Sequence, residues 1–150
     1  MASKDVRIGF GALATRSTRN WRRAVDRRLQ PFGLTEATWL PLLRVARAET
    51  PMRQKDLAAA LSLDGSSVVR LLDALQASGF VERREEEDRR AKTIVLTALG
   101  RRTVERVEWV AAQVCDEALG ALGDDEVATA ARVLDHICRV LEKADEEARA

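Results

Sequence analysis

The chain has 150 residues, of which 46% are hydrophobic and 33% charged, with a formal net charge of +1. That length and composition suit one domain of ordinary size, helix-rich because 8 Gly and 3 Pro leave long stretches unpunctuated. No apolar run is of membrane-spanning length, Val6-Arg7-Ile8-Gly9-Phe10 is too short for a signal-peptide core, and Cys115 and Cys138 lack metal or CxxC spacing. A cytoplasmic protein without membrane contact, metal or other cofactor is therefore expected.

The small net charge hides an uneven distribution. Residues 1–50 carry ten Lys/Arg against four acids, and residues 93–150 carry seven basic against twelve acidic side chains. Overall charge therefore says nothing about nucleic acid, and local arrangement must decide.

From about Val6 to Gln30, Phe10, Leu13, Ala14, Ser17, Trp21, Ala24, Val25 and Leu29 recur at three- and four-residue steps, which predicts a long helix. Pro31 and Gly33 stop it. Thr35 is the expected N-cap of a second helix through Trp39, Leu42, Leu43 and Ala46, and Pro41 inside it is expected to kink rather than break it. The stretch MRQKDLAAALSLDGSSVVRLLDALQASGF then predicts a short helix, a three-residue turn Ser62-Leu63-Asp64, and a helix capped by Asp64 and ended by Gly79. This is a helix-turn-helix, whose second helix can enter a major groove. Val68, Val69, Leu71, Leu72 and Leu75 would seat that helix on the core. Ser66, Ser67 and Arg70 would stay on its outward, N-terminal side, within reach of base edges.

Two short runs follow, Phe80–Arg83 and Thr93–Leu96, flanking the charged stretch Glu85-Glu86-Glu87-Asp88-Arg89-Arg90. A hairpin placed directly after a recognition helix is a wing. Arg90 on its tip suits the enhanced negative potential of a narrow minor groove, with Arg89 and Lys92 on phosphates. Glu85–Glu87 would repel the DNA backbone and prune sequence-independent binding. Gln54 and Lys55, opening the preceding helix, are further candidates for phosphate. Thr97 is expected to cap a helix from Ala98 to about Leu119, and Asp124 a last helix whose Val127, Ala130, Ala131, Leu134, Ile137, Cys138 and Leu141 form a heptad-like stripe. The terminal helices carry more apolar face than so small a centre can bury, which predicts a two-fold homodimer. Such a pair would set two recognition helices about 34 Å apart and read a pseudo-palindromic duplex.

The ordered set of a Leu-Ala helix, a Ser-x-Val-x-Arg helix, SGFVERR, Asp-Arg-Arg and LTALG, over residues 34–102, resembles the MarR family of bacterial transcription regulators. Residues 19–39, RNWRRAVDRRLQPFGLTEATW, resemble its SlyA branch. The resemblance implies a mainly α fold with a small β-hairpin wing: a winged helix-turn-helix lobe over residues 35–100, with residues 1–34 and 101–150 as a helical dimerisation region. It places major-groove reading on the helix around Gly65–Ser78, hence on Ser66, Ser67 and Arg70. It also places a minor-groove arginine on Arg90, with Asp88 bracing the wing tip. The three glutamates before Asp88 and Pro41 depart from the family pattern.

Arg16, Arg19, Arg23 and Arg27 share one side of the first helix, and Trp39 lies on the next. This suggests a pocket in which Arg16, Arg19 or Arg23 meets a carboxylate and Trp39 stacks an aromatic ring. The resemblance points the same way, since such regulators respond to phenolic or aryl-carboxylate compounds. Bland readings stand beside these: helix capping for the serines, a surface position for Arg70, a solvated turn for the charge run, and core packing for Trp21 and Trp39. A repressor released by a small anionic aromatic ligand leads. A winged-helix protein–protein module and a cysteine-based redox regulator are the alternatives, although Cys138 on the apolar stripe reads as a small core hydrophobe. One histidine, His136, two separated cysteines and no phosphate loop or acid dyad leave no catalytic constellation, so no enzyme is expected.

Overall fold

The computed structural model describes residues 4–85 and 92–149. The chain forms two compact units, residues 1–114 and 115–150. In the first, helix α1 (Lys4–Leu29) buries Val25 and Leu29 at its C-terminal end, while Val6, Ile8 and Leu13 near its start are exposed. A 3-10 turn (Gln30–Phe32) with Pro31 near its start ends the helix, and the Gly33 N–H closes on the Gln30 carbonyl at 2.9 Å. Helix α2 (Glu36–Arg47) runs through Pro41 without a break and buries it with Trp39, Leu42 and Leu43. Thr35 holds the N-cap position of α2 but not the expected bond: its hydroxyl lies 3.5 Å from that of Thr38 and meets no backbone N–H.

Helices α3 (Gln54–Leu61) and α4 (Gly65–Ala77) are the short pair predicted from the leucine pattern. Asp56 fixes the start of α3 by accepting the Arg53 N–H at 2.9 Å. Ser62 then takes the left-handed conformation (φ 54°), which lets its N–H return to Ala59 and turns the chain within three residues. Leu29, Leu42, Leu57 and Leu72, one from each of the four helices, are fully buried. Each such side chain contributes about 1.5–3 kcal/mol through burial, so these four hold the helices in a common core.

Strands β1 (Val81–Glu85) and β2 (Lys92–Leu96) pair antiparallel from Val81↔Leu96 to Glu85↔Lys92, extending beyond the runs expected from sequence. A single bridge, Arg53↔Thr93, with the Ile94 N–H on the Met52 carbonyl at 2.8 Å, ties the chain before α3 to the hairpin. One bridge carries no periodicity, so nothing in the sequence announces it. Helix α5 (Ala98–Leu119) lays Gly100, Thr103, Val104, Val107, Val110 and Val114 against the core of the first unit. Outside that stripe, the Arg106 guanidinium sits 4.2 Å from the centre of the Phe32 ring, a cation–π contact that ties the 3-10 turn to α5.

The joint between α4, hairpin and α5 depends on two glycines. Gly79 follows α4 with φ +78°, a conformation other residues adopt only under strain. Gly100 lets α5 approach the chain so closely that an added Cβ would lie 2.1 Å from the Phe80 carbonyl oxygen. Thr97 caps α5 as predicted, accepting the Gly100 N–H at 3.0 Å, and it also donates its hydroxyl to the Gly79 carbonyl at 2.6 Å.

In the second unit, the end of α5 turns through Gly120 and Gly123 into helix α6 (Asp124–Arg149). Asp124 was expected to cap this helix. Instead it is the first helical residue, and the Glu126 carboxylate accepts the Gly123 N–H at 2.9 Å. No described residue of α6 is buried: Val133, Leu134, Val140 and Leu141 are exposed. Cys138, expected as a core hydrophobe, is exposed as well, because nothing in its own unit covers the stripe it sits on.

Candidate nucleic-acid interface

Helix α4 is seated by Val68, Leu72 and Leu75, three inward positions that leave the opposite side in water. On that side Ser66 and Arg70 are exposed and Ser67 is half-buried. Asp64 caps the helix as the sequence predicts, accepting the Ser67 N–H at 2.8 Å. Its carboxylate does more: Oδ1 also accepts the Ser66 hydroxyl at 2.7 Å and Oδ2 the Ser67 hydroxyl at 2.8 Å. The Ser66 hydroxyl, the Ser67 N–H and the Ser67 hydroxyl, in that order of importance, hold the Asp64 carboxyl well below the usual carboxylate range. Arg70 makes no hydrogen bond or ion pair among the described residues, so its guanidinium remains available. Gln54 and Lys55 open α3, half-buried and exposed respectively.

Among the described residues, one side chain links the hairpin to the exposed side of α4 by hydrogen bonds. Arg83 on β1 donates Nε–H to the Gln76 Oε1 at 3.0 Å and a second N–H to the Asp73 carboxylate. Asp73 and Gln76 stand one turn apart on the exposed side of α4, so the fork of one guanidinium spans both. Sequence reading missed this pairing, and the three-residue spacing was its only trace. Further along the hairpin, Lys92 faces Glu85 at 3.8 Å and Arg84 faces Glu82 at 3.2 Å. Both pairs are solvent-exposed and loosely held. Lys92 is thus at the end of β2 beside a carboxylate. Asp88, Arg89 and Arg90, assigned to the wing tip, lie outside the described residues.

The arginines of α1 do gather, though not as expected. Arg19 and Arg23 line an open cleft of about 590 Å³ together with Thr15, Thr18, Arg22 and Glu36. Arg22 pairs with Glu36 at 3.3 Å, a contact between α1 and α2 that the sequence reading did not single out. Arg16 is exposed on α1 but does not line the cleft. Trp39 does not reach it either: the ring is 4% exposed within the core, and its indole N–H donates to Asp26 at 3.2 Å. The indole keeps a hydrogen bond on burial, which makes Trp39 a well-satisfied core residue.

A helical core, a helix-turn-helix with a polar exposed second helix, and a hairpin joined to that helix together make a winged helix of the DNA-binding class. The sequence pattern of the MarR family matches residues 32–91. The solved structure of transcriptional regulator PA3341 is similar to the chain at 39% identity, with a TM-score of 0.81, covering 89% of this chain and 98% of that one. CouR from Rhodococcus jostii RHA1, solved bound to p-coumaroyl-CoA, matches at 27% identity and a TM-score of 0.75, over 90% and 95% of the two chains. MepR from S. aureus, solved as a DNA complex, shares the fold at 23% identity with a TM-score of 0.73, over 88% and 97%. The chain belongs to the MarR family of transcriptional regulators. Among its described residues, no helix is long and apolar enough to cross a membrane.

Proposed function

We propose that the protein is a homodimeric, sequence-specific repressor that binds pseudo-palindromic duplex DNA and is released by a small anionic aromatic ligand. The observation that carries the DNA reading is the exposed, polar first turn of α4 held in fixed relation to the hairpin by Arg83. Ser66, Ser67 and Arg70 read the major groove, Arg90 enters the minor groove with Asp88 bracing it, and Arg89, Lys92, Gln54 and Lys55 meet phosphates. Residues 35–100 act as the DNA-binding lobe. Residues 1–34 and 101–150 pair the two copies, a role supported by the exposed Val6, Ile8 and Leu13 of α1 and Leu134 and Leu141 of α6. Residues 19–39 favour the SlyA branch of the family, which carries with it a bacterial cytoplasm.

Three guanidinium groups around one cleft favour an anion, and Arg19 and Arg23 are the residues to receive it, Arg22 being engaged by Glu36. That CouR, to which the chain is similar, was solved bound to p-coumaroyl-CoA supports a small-molecule effector here. With Trp39 buried, the aromatic part of the ligand would have to find another wall. The ligand acts by preferring a spacing of the two DNA-reading lobes that the duplex does not accept. Mobility-shift titration tests the DNA reading: Arg90→Ala should weaken operator binding by about 1 kcal/mol or more, roughly fivefold, and unchanged binding at matched salt would remove Arg90 from the interface. Titrating aromatic acids against DNA release, in wild type and Arg19→Ala, tests the cleft; flat responses throughout would discard it.

A further inference from the structure

The first turn of α4 holds more hydrogen bonds than a cap requires. A cap needs one acceptor for one backbone N–H, and Ser67 N–H on Asp64 Oδ1 supplies it. The two extra bonds, from the Ser66 and Ser67 hydroxyls, fix where those hydroxyl protons point. A hydroxyl carries one proton and two acceptor lone pairs. With both protons directed at Asp64, what each serine has left for a partner is acceptor capacity alone.

Major-groove edges differ in this same respect. Adenine N6 and cytosine N4 donate, whereas guanine O6 and N7 and thymine O4 accept. We propose that Asp64 is a specificity-determining residue that touches no base: by holding both serine protons it makes the start of the recognition helix an acceptor-only surface, which selects adenine or cytosine on the strand it faces. The inference rests on the DNA reading above and deepens it. Unlike a free hydroxyl, which rotates to suit any base, a serine held this way discriminates. The carboxylate remains ionised, and so acceptor-only itself, at any pH where the complex forms, because its three donors hold the proton off.

The decisive variant is Asp64→Asn. Asparagine has the same shape and is as good an N-cap, so the helix start is kept. Its Oδ1 can still accept the Ser67 N–H, but its NH2 group donates where Oδ2 accepted. The Ser67 hydroxyl must then accept from the amide and turn its own proton outward. Sequences selected from random duplexes by the wild type would define the operator, and a panel with every single-base change would then be measured with wild type, Asp64→Asn and Ser67→Ala. The expected result is an adenine or cytosine preference at one position of each half-site, shifted by roughly five- to tenfold toward guanine or thymine in Asp64→Asn and flattened in Ser67→Ala. Identical base preferences in wild type and Asp64→Asn, at every position, would overturn the proposal while leaving DNA binding intact. A wild type that selects no sequence would overturn the DNA reading and this inference with it. Should Asp64→Asn fail to fold, the double variant Ser66→Ala/Ser67→Ala decides alone, since it removes both held hydroxyls and leaves the cap acceptor in place: retained discrimination counts against the proposal and lost discrimination supports it.

Discussion

Replacing Gly100 by alanine tests whether the joint behind the recognition helix is as tight as the geometry states. The new Cβ would stand 2.1 Å from the Phe80 carbonyl oxygen, 3.1 Å from its carbon and 3.3 Å from the Leu96 Cδ2, against an ordinary contact of 3.4–4 Å. The nearest obstacle is backbone, so the chain at Phe80 or the start of α5 must retreat by more than an ångström. Overpacking of this kind costs about 1–3 kcal/mol. The displaced carbonyl also accepts the Thr97 N–H at 3.1 Å and the Thr97 hydroxyl at 3.2 Å. Losing those bonds adds about 0.5–1.5 kcal/mol each, for a total of roughly 2–6 kcal/mol. At about 2–4 °C per kcal/mol for a chain of this size, the midpoint should fall by roughly 4–24 °C. Thermal melting followed by circular dichroism measures it, with Gly65→Ala as the control. An added Cβ there meets nothing within 4 Å, and the change should be stabilising by about 0.4–1 kcal/mol. A Gly100→Ala midpoint within about 2 °C of wild type would refute the packing argument.

Two further predictions follow from the same region. Arg83→Lys keeps the charge but loses the fork that spans Asp73 and Gln76; denaturant unfolding should change by less than about 1 kcal/mol, as for other exposed pairs, while operator affinity drops severalfold. Equal affinity would show that the clamp does not set the wing against the helix. The stability that Asp64 confers, measured as wild type minus Asp64→Ala in urea, should be constant from neutral pH downward and shrink only as the pH passes below the ordinary value of 3.8. The folded pKa is depressed, so the contribution is present above the unfolded value and lost on protonation. A difference that instead changed around neutral pH would contradict the three-bond arrangement.

How much of this was legible in the sequence differs from residue to residue for physical reasons. The inward leucines, the Asp64 cap, the Gly79 stop and the Thr97 cap depend on local spacing, which a sequence displays directly, and the structure has them at those positions. Asp124 misled because two acids and a glutamate follow Gly123, and any of them could have reached back to its N–H; Glu126, three residues on, has the reach. Trp39 was open to two readings because α2 is apolar on more than one side, and only the packed neighbours decide that its indole meets Asp26 inside. Pairings across elements, Arg83 with Asp73 and Gln76, Arg22 with Glu36, and the bridge of Arg53 to Thr93, leave no local signature. They depend on how the chain returns upon itself. The outward stripe of α6 was legible as a pattern, but its exposure in one chain is what turns the pattern into an argument for a second copy.

Selection from random duplexes at low ionic strength, followed by the mass of the selected complex in sedimentation, bears most directly on the account. It predicts an inverted repeat with half-site centres about 10–10.5 base pairs apart and two protomers on each duplex. Failure to enrich any sequence, or a complex holding a single protomer on an unrepeated site, would contradict it.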